Sequence, residues 1–164
     1  MDGITIEPFD GDQTVADEIA ALHLQIRLGQ REDGTSNYSE QKLYSSQADL
    51  KAMADSYVRP GGNFWIARSS ANGRIVGFVG LRCESENVGT LKRLAVLPEY
   101  RRHGIARKLV ETLIGWAKER GFVMIKLGTG RNEKAHGLYL SAGFVDTGLS
   151  ANGNDYLMRL DLTE

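Results

Sequence analysis

Apolar residues near the start of the chain recur every three or four positions. Val15, Ile19, Leu22 and Ile26 would line one face of a helix from about Thr14 to Leu28, with Thr14 as its N-cap. Before it, Ile4 to Pro8 reads as a short strand. Residues 29–45 lose the period and hold Gly, Ser and Asn, so a mobile loop carrying some helix is expected there. Ser46 followed by Asp49 resembles a capping box that opens a second helix to about Tyr57, and Pro60-Gly61-Gly62 ends that section.

From Asn63 the period changes to that of strands. Phe64–Ser69 and Arg74–Cys83 flank Ala71-Asn72-Gly73, a hairpin signal because Asn-Gly tolerates the positive φ of a tight turn. Thr90–Leu97 is a third strand of this section, stopped by Pro98. Ile105–Arg120 is a helix with Ile105, Leu109, Leu113 and Trp116 on one stripe and Gly121 as its stop. Val123–Leu127 is a strand, Asn132–Ala142 a helix ended by Gly143, and Val145–Leu149 with Asp155–Leu162 a closing strand pair around Asn152-Gly153. There is no repeat, linker or low-complexity tract. The pattern predicts a single α/β domain over residues 1–164, a mixed central sheet of about seven strands flanked by about four helices.

Composition narrows the function classes. Hydrophobic residues at 41% and a net charge of −1 describe a globular, water-soluble chain. No apolar run is long enough for a membrane span, and the acidic start has no signal-peptide core, so a cytoplasmic protein is expected. The lone Cys83 excludes an internal disulfide, and His23, His103 and His136 form no HExxH pattern, so no metal is expected. Charge is unevenly spread: residues 1–60 carry eleven Asp/Glu against five Lys/Arg, and residues 92–134 carry eleven Lys/Arg against four Asp/Glu. Either this is a solvated surface with chance clustering, or the second half receives a polyanion and the first half something cationic. The basic residues are not interleaved with aromatics, and no nucleic-acid-binding signature is present.

The informative stretch is Leu94-Ala-Val-Leu-Pro-Glu-Tyr-Arg-Arg-His-Gly-Ile-Ala106, a strand that passes through a Pro turn into an amphipathic helix. Residues 99–104 hold no Ser, Thr, Asp or Asn, so the leading N–H groups of that helix lack an ordinary side-chain cap. Gly104 and Ala106 leave the turn bare, and Arg101, Arg102, Arg107 and Lys108 surround it with positive charge. Bare N–H groups, a helix dipole and flanking arginines suit a diphosphate. No GxxxxGK[ST] is present, and Gly128-Thr-Gly130 misses GxGxxG at its last position, which argues against other phosphate loops.

Val96-x-Pro98-x-x-Arg101-Arg102-x-Gly104-Ile105-Ala106 resembles the signature of the GNAT superfamily of N-acetyltransferases, in which an Arg/Gln-x-x-Gly-x-Gly/Ala loop binds the coenzyme A diphosphate. Asn132, Ala135, Tyr139 and Gly143-Phe144 resemble its second signature. The likeness implies acetyl-CoA as co-substrate between two splayed strands, those holding Leu94–Val96 and Ile125–Leu127. Leu94, Ala95 and Val96 would meet the pantetheine arm. Arg101, Arg102, His103, Gly104, Ile105, Ala106 and Arg107 would surround the diphosphate, and Asn132 and Ala135 would reach the coenzyme from the next helix. Tyr139 would be the catalytic acid for the departing thiolate, a role that competes with plain core packing, and His136 is an alternative donor.

The likeness implies direct attack by a primary amine of a small molecule or peptide. Many relatives carry a Glu where this chain has Thr90. Glu84 and Glu86 acting through a water, or bulk water itself, could take the amine's proton. Because Thr90 lacks a carboxylate, a non-catalytic acyl-CoA-binding sensor or scaffold stays open. Acidic residues in the first 60, including Glu32 and Asp33, could attract a cationic acceptor. Members of the superfamily often form homodimers, and no stretch of this sequence marks an interface.

Overall fold

In the computed structural model, residues 3–34, 39–131 and 134–162 are described. Seven strands form one sheet in the order β1-β2-β3-β4-β5-β7-β6. They are β1 Ile4–Pro8, β2 Asn63–Ser69, β3 Ile75–Ser85, β4 Val88–Val96, β5 Met124–Gly130, β6 Val145–Leu149 and β7 Asp155–Asp161. Every neighbouring pair is antiparallel except β4 and β5. The helices are α1 Gln13–Glu32, α2 Glu40–Lys51, α3 Ile105–Glu119 and α4 Ala135–Ser141. The mixed seven-stranded, helix-flanked architecture expected from the pattern is therefore present.

The first third differs from expectation. Among the described residues of 29–45, read as a loop carrying some helix, most are helical: α1 runs on to Glu32 and α2 begins at Glu40. The cap of α1 is Asp12, whose carboxylate accepts from the Thr14 N–H at 2.9 Å, so Thr14 lies inside the first turn. The cap of α2 is Ser39, whose hydroxyl accepts from the Lys42 N–H at 3.1 Å. Ser46, expected as a cap, is instead buried mid-helix, its hydroxyl donating to the Leu43 carbonyl at 2.8 Å. A short π-helical turn, Ala54–Val58, follows α2 and buries Tyr57. The helix expected from Asn132 is seen from Ala135, Asn132 itself lying outside the described residues.

Side-chain alternation assigns the two faces of the sheet. A Cβ on Gly80 would meet Phe64 and Tyr57, whereas one on Gly77 would meet Leu109 of α3. The first face therefore carries α1, α2 and the π-turn, and the opposite one carries α3. Helix α3 buries Ile105, Leu109, Val110, Leu113 and Ala117. Trp116 lies beside that stripe with its ring edge-on to Trp65, centroids 5.4 Å apart. Gly121, at φ +82°, lets the Phe122 N–H return to the Ala117 carbonyl at 3.0 Å, which satisfies an end carbonyl of α3 and turns the chain into β5.

Between β3 and β4 the register slips: Phe78 faces Ala95 but Gly80 faces Lys92, so β4 carries one extra residue. Arg93 sits at that bulge with φ +65°. Beyond it β4 draws away from its parallel neighbour. Only Val88, Gly89 and Thr90 pair with β5, against Met124, Ile125 and Lys126. Residues 91–96 and 127–130 of the two strands then run on without pairing to each other.

Gly80 tests the packing of the first face. A Cβ there would stand 2.7 Å from Phe64 Cδ2 and 2.8 Å from Tyr57 Cε1, both on fully buried rings. Gly80→Ala is expected to lower unfolding stability in urea by about 1–3 kcal/mol.

Candidate active site at the open strands

Strand alternation turns the backbone of Leu94 and Val96 into the gap, because the Leu97 N–H is spent on the Val76 carbonyl of β3 at 2.8 Å. Two arginines reach the carbonyls there. Arg101 Nε donates to the Val96 carbonyl at 3.1 Å, and Arg27 Nη2 lies 3.5 Å from the Leu94 carbonyl. The N–H groups of Leu94 and Val96 face the same gap and suit an extended polar chain lying along β4.

At the end of β4 the chain makes a 3₁₀ turn over Pro98–Tyr100 and then enters α3. Arg102 (φ +67°) and Gly104 (φ +78°) both adopt left-handed conformations, curling the backbone round the helix start. Gly104 has no side chain with which to cap the helix. The first intrahelical bond runs from the Lys108 N–H to the Gly104 carbonyl at 3.1 Å, so the N–H groups of Ile105, Ala106 and Arg107 precede the helical ladder. A cavity of about 220 Å³ opens there, lined by Val96, Arg101, Arg102, Gly104, Ile105, Ala106 and Arg107, together with Tyr100 and Leu138. This is an anion-binding geometry, with helix dipole and bare donors aimed at one space.

Most of the expected coenzyme contacts thus gather in one place. Tyr100 and Leu138 were not anticipated; their role depends on the turn geometry and on how α4 packs, which no local pattern encodes. His103 is exposed in the turn but does not line the cavity. Leu94 and Ala95 lie upstream of the cavity on β4, half-buried and buried. Arg107 is tied to α4 through Ser141 Oγ at 2.6 Å. Ala135 is half-buried on α4, and Asn132 lies outside the described residues. Tyr139 follows Leu138 on α4 and is 5% exposed, its ring edge-on to Phe144 at 5.7 Å. His136 is held by Asp146 at 2.8 Å and stacked on Tyr156 at 4.1 Å.

The candidate bases fare differently. Thr90 is at the last paired position before the strands part. Glu84 and Glu86 are exposed near the β3–β4 turn, at the opposite end of β4 from Leu94, roughly 20 Å along the strand. A single water cannot span that distance. Cys83 is half-buried near the same end, its Sγ 2.9 Å from the Ser85 carbonyl.

On the α1/α2 face the site is backed by a polar cluster. Asp49 of α2 receives Arg93 Nη2 at 2.8 Å and Arg82 Nη2 at 2.9 Å. The buried Tyr57 hydroxyl has no partner at hydrogen-bonding geometry among the described residues, and burial first, then the nearby Asp49 carboxylate, push its pKa up and keep the phenol neutral. Lys92, half-buried on β4, is pushed below the usual ammonium range by burial first, then by Arg93 and Arg82. His23 is fully buried: Arg27 Nε lies 3.4 Å from its Nε2, and its Nδ1 is 3.3 Å from Ser46 Oγ. Because Ser46 already donates to Leu43, this network assigns the ring proton to Nδ1 and leaves Nε2 as acceptor.

Residues 27–144 match the model of the acetyltransferase (GNAT) family. Rat (Rattus norvegicus) N-acetyltransferase 8 is 37% identical over 121 residues, 70% of this chain and 52% of that protein. The chain spans about half the length of the curated relatives it matches. A GNAT-family acetyltransferase from Staphylococcus aureus Mu50 superposes with a TM-score of 0.82 at 24% identity, covering 98% of this chain and all of that one. PaiA N-acetyltransferase from Thermoplasma acidophilum, solved with coenzyme A, gives 0.77 at 21%, covering 96% and 99%. The chain belongs to the acetyltransferase (GNAT) family.

Burial first, then Arg27 and Arg93, push the His23 imidazole down to about 2 from its ordinary 6.5. Below pH 6.5 the unfolded chain binds a proton that the folded one refuses, so stability falls as pH drops from about 6.5 toward 2. The loss should approach about 1.4 kcal/mol per pH unit for this one group. In urea unfolding between pH 7 and 4, His23→Gln should flatten the profile relative to the wild type. Parallel profiles would show that His23 takes up its proton in the folded state.

Proposed function

We propose that this protein transfers an acetyl group from acetyl-coenzyme A to a primary amine by direct attack in a ternary complex. The observation that carries the reading is the bare start of α3 opening onto a cavity that reaches Val96 at the end of the parted strand. The residues present fit a diphosphate: donors from Ile105 to Arg107, a glycine whose position leaves room, and Arg102 beside them. Acetyl-coenzyme A, when bound, supplies the thioester.

The chain's own part is positioning and proton handling. Leu94 and Val96 present backbone N–H groups to an arm laid along β4. A backbone N–H near the bulge would steady the negative oxygen that develops as the amine adds, an effect typically worth about 3 kcal/mol. Tyr139 would give its phenolic proton to the leaving sulfur as the C–S bond breaks. The amine's own proton passes to water, because Thr90 is no base and the glutamates of the β3–β4 turn are remote. The absence of a carboxylate at Thr90 also supports a second reading, a module that binds acyl-coenzyme A without turnover.

Calorimetric titration with acetyl-CoA should show binding that Gly104→Glu abolishes, because the new carboxylate would stand at the helix start in place of the diphosphate. With an amine panel and thiol release as readout, Tyr139→Phe should lower kcat about a hundredfold while acetyl-CoA affinity is retained. Binding with no turnover of any amine would favour the non-catalytic module, and no binding by the wild type would remove both readings.

A further inference from the structure

Register places a second set of side chains at the parted strands, on the face opposite α3. Thr90 is level with Lys126, and Lys126 is opposite Arg159. These three point to the α1/α2 face, because Thr90 is also opposite Arg82, which reaches Asp49 on α2. Lys92, two residues beyond Thr90 and opposite Gly80, shares that face. The same side of β7 carries Asp155, whose carboxylate meets Lys42 of α2 at 3.4 Å. Between these ion-paired edges lie Gly128 and Leu157, opposite each other, both exposed. A Cβ on Gly128 would make no contact closer than 3.7 Å, so a ligand can lie on the backbone there.

The charges on this open floor do not balance. Lys126 and Arg159 are directly opposite one another, an arrangement that destabilises a sheet without a counter-charge. Asp161 is 3.6 Å from Arg159, in a pair about half exposed on both sides and therefore weak. Asp49 is shared by Arg82 and Arg93, and although Asp49 and Glu84 both favour the charged Lys92, burial and the two arginines oppose it more strongly. Lys126 stands at the last paired position before the strands part and Lys92 just beyond it, both on the α1/α2 face. The acidic residues of the first 60 are spread out: Asp49 lies at the cleft, Glu32 and Asp33 are exposed at the end of α1 a little beyond Arg27, and Asp10, Asp12, Asp17 and Glu18 surround its start. The charge split along the sequence suggested a cationic acceptor. Among the described residues, the folded chain presents the opposite sign at the cleft.

We infer that the acceptor is an anionic amine, one carrying a carboxylate a few atoms from its amino group, with that carboxylate held between Lys92, Lys126 and Arg159. This rests on the transferase reading for the amine's fate but not for the anion site itself. Long, flexible Lys and Arg stems let one cluster take carboxylates at several distances from the nitrogen, while Gly128 leaves the nitrogen a path to the gap. The excess charge would also draw such an acceptor in, an attraction that salt screens.

The test compares amino acids with decarboxylated partners that carry no carboxylate: L-phenylalanine with 2-phenylethylamine, L-lysine with cadaverine, and L-leucine with 3-methylbutylamine. In any pair that turns over, kcat/KM should favour the more carboxylated member at least tenfold, and the preference should shrink with added salt. Lys126→Gln combined with Arg159→Gln should cut that preference at least fivefold without changing acetyl-CoA affinity, which also reports that the variant is folded. Equal or faster turnover of the decarboxylated members would overturn the inference and leave the transferase reading standing. If no pair turns over, the same amines are titrated into protein saturated with coenzyme A. Carboxylate-dependent binding that the double variant loses would uphold the anion site and remove the transferase reading, and binding without that dependence, or none, would overturn the inference.

Discussion

The parting of β4 from β5 is the constraint on which the rest of the molecule depends. A seven-stranded sheet would ordinarily pair every backbone group across its centre, because buried N–H and C=O groups left alone are expensive. Here the one parallel joint closes after three pairs, and the strands then leave a gap in the middle of the sheet. The cause lies in β4 itself, where the extra residue at Arg93 bends the strand away. The opened backbone is partly answered by side chains, Arg101 on the Val96 carbonyl and Arg27 beside that of Leu94. What remains is a polar slot with helices on either side.

Holding that bulge requires more than β4. A non-glycine residue in the left-handed region costs on the order of 1–3 kcal/mol and persists only where surroundings over-determine it. Arg93 is held by Asp49 through Nη2 at 2.8 Å and Nε at 3.4 Å, and Asp49 is fixed in turn by Arg82 from the neighbouring strand. Asp49 belongs to α2, whose placement against α1 runs through Ser46 and His23 and through Gln47, which donates to the Ala20 carbonyl at 2.8 Å. A polar network in a core stabilises only when its members are satisfied. In this network the geometry of the gap is linked to the helices that cover it. The neutral His23 belongs to the same device, since a charged ring there would face Arg27 and Arg93.

Legibility in the sequence followed how local each signal was. The start of α3 could be read because everything that defines it, Pro98, the arginines, Gly104 and the missing cap, lies within ten residues. The strands from Asn63 onward could be read because short apolar runs are bounded by turn signals such as Asn72-Gly73, Pro98 and Asn152-Gly153. Helix α2 could be read only from Ser46 on: its buried positions are Leu43, Ser46 and Leu50, so one of the three is polar, while Tyr44 beside them is 82% exposed. The bulge was illegible for another reason. Nothing about Arg93 favours positive φ; the conformation is imposed by pairing with β3 and by Asp49. Charge counted along the chain does not give the charge of a face, and Lys92, Lys126 and Arg159 come from three strands that only the register brings together.

The sheet therefore works as a partition. On the α3/α4 side the structure offers backbone donors, a helix dipole and a cavity, chemistry that recognises a diphosphate whatever is attached to it. On the α1/α2 side it offers side chains, Lys92, Lys126 and Arg159, whose identity can change without disturbing the backbone. The gap between β4 and β5 joins the two. A donor site built from main chain is hard to alter by substitution, whereas an acceptor site built from solvent-facing strand positions is easy to alter, since alternate residues of β4, β5 and β7 serve one face without entering the core of the other. Variation in the acceptor across such a fold then needs only a few outward-facing positions, and the like charges facing each other at Lys126 and Arg159 are the kind of locally unfavourable choice that function retains.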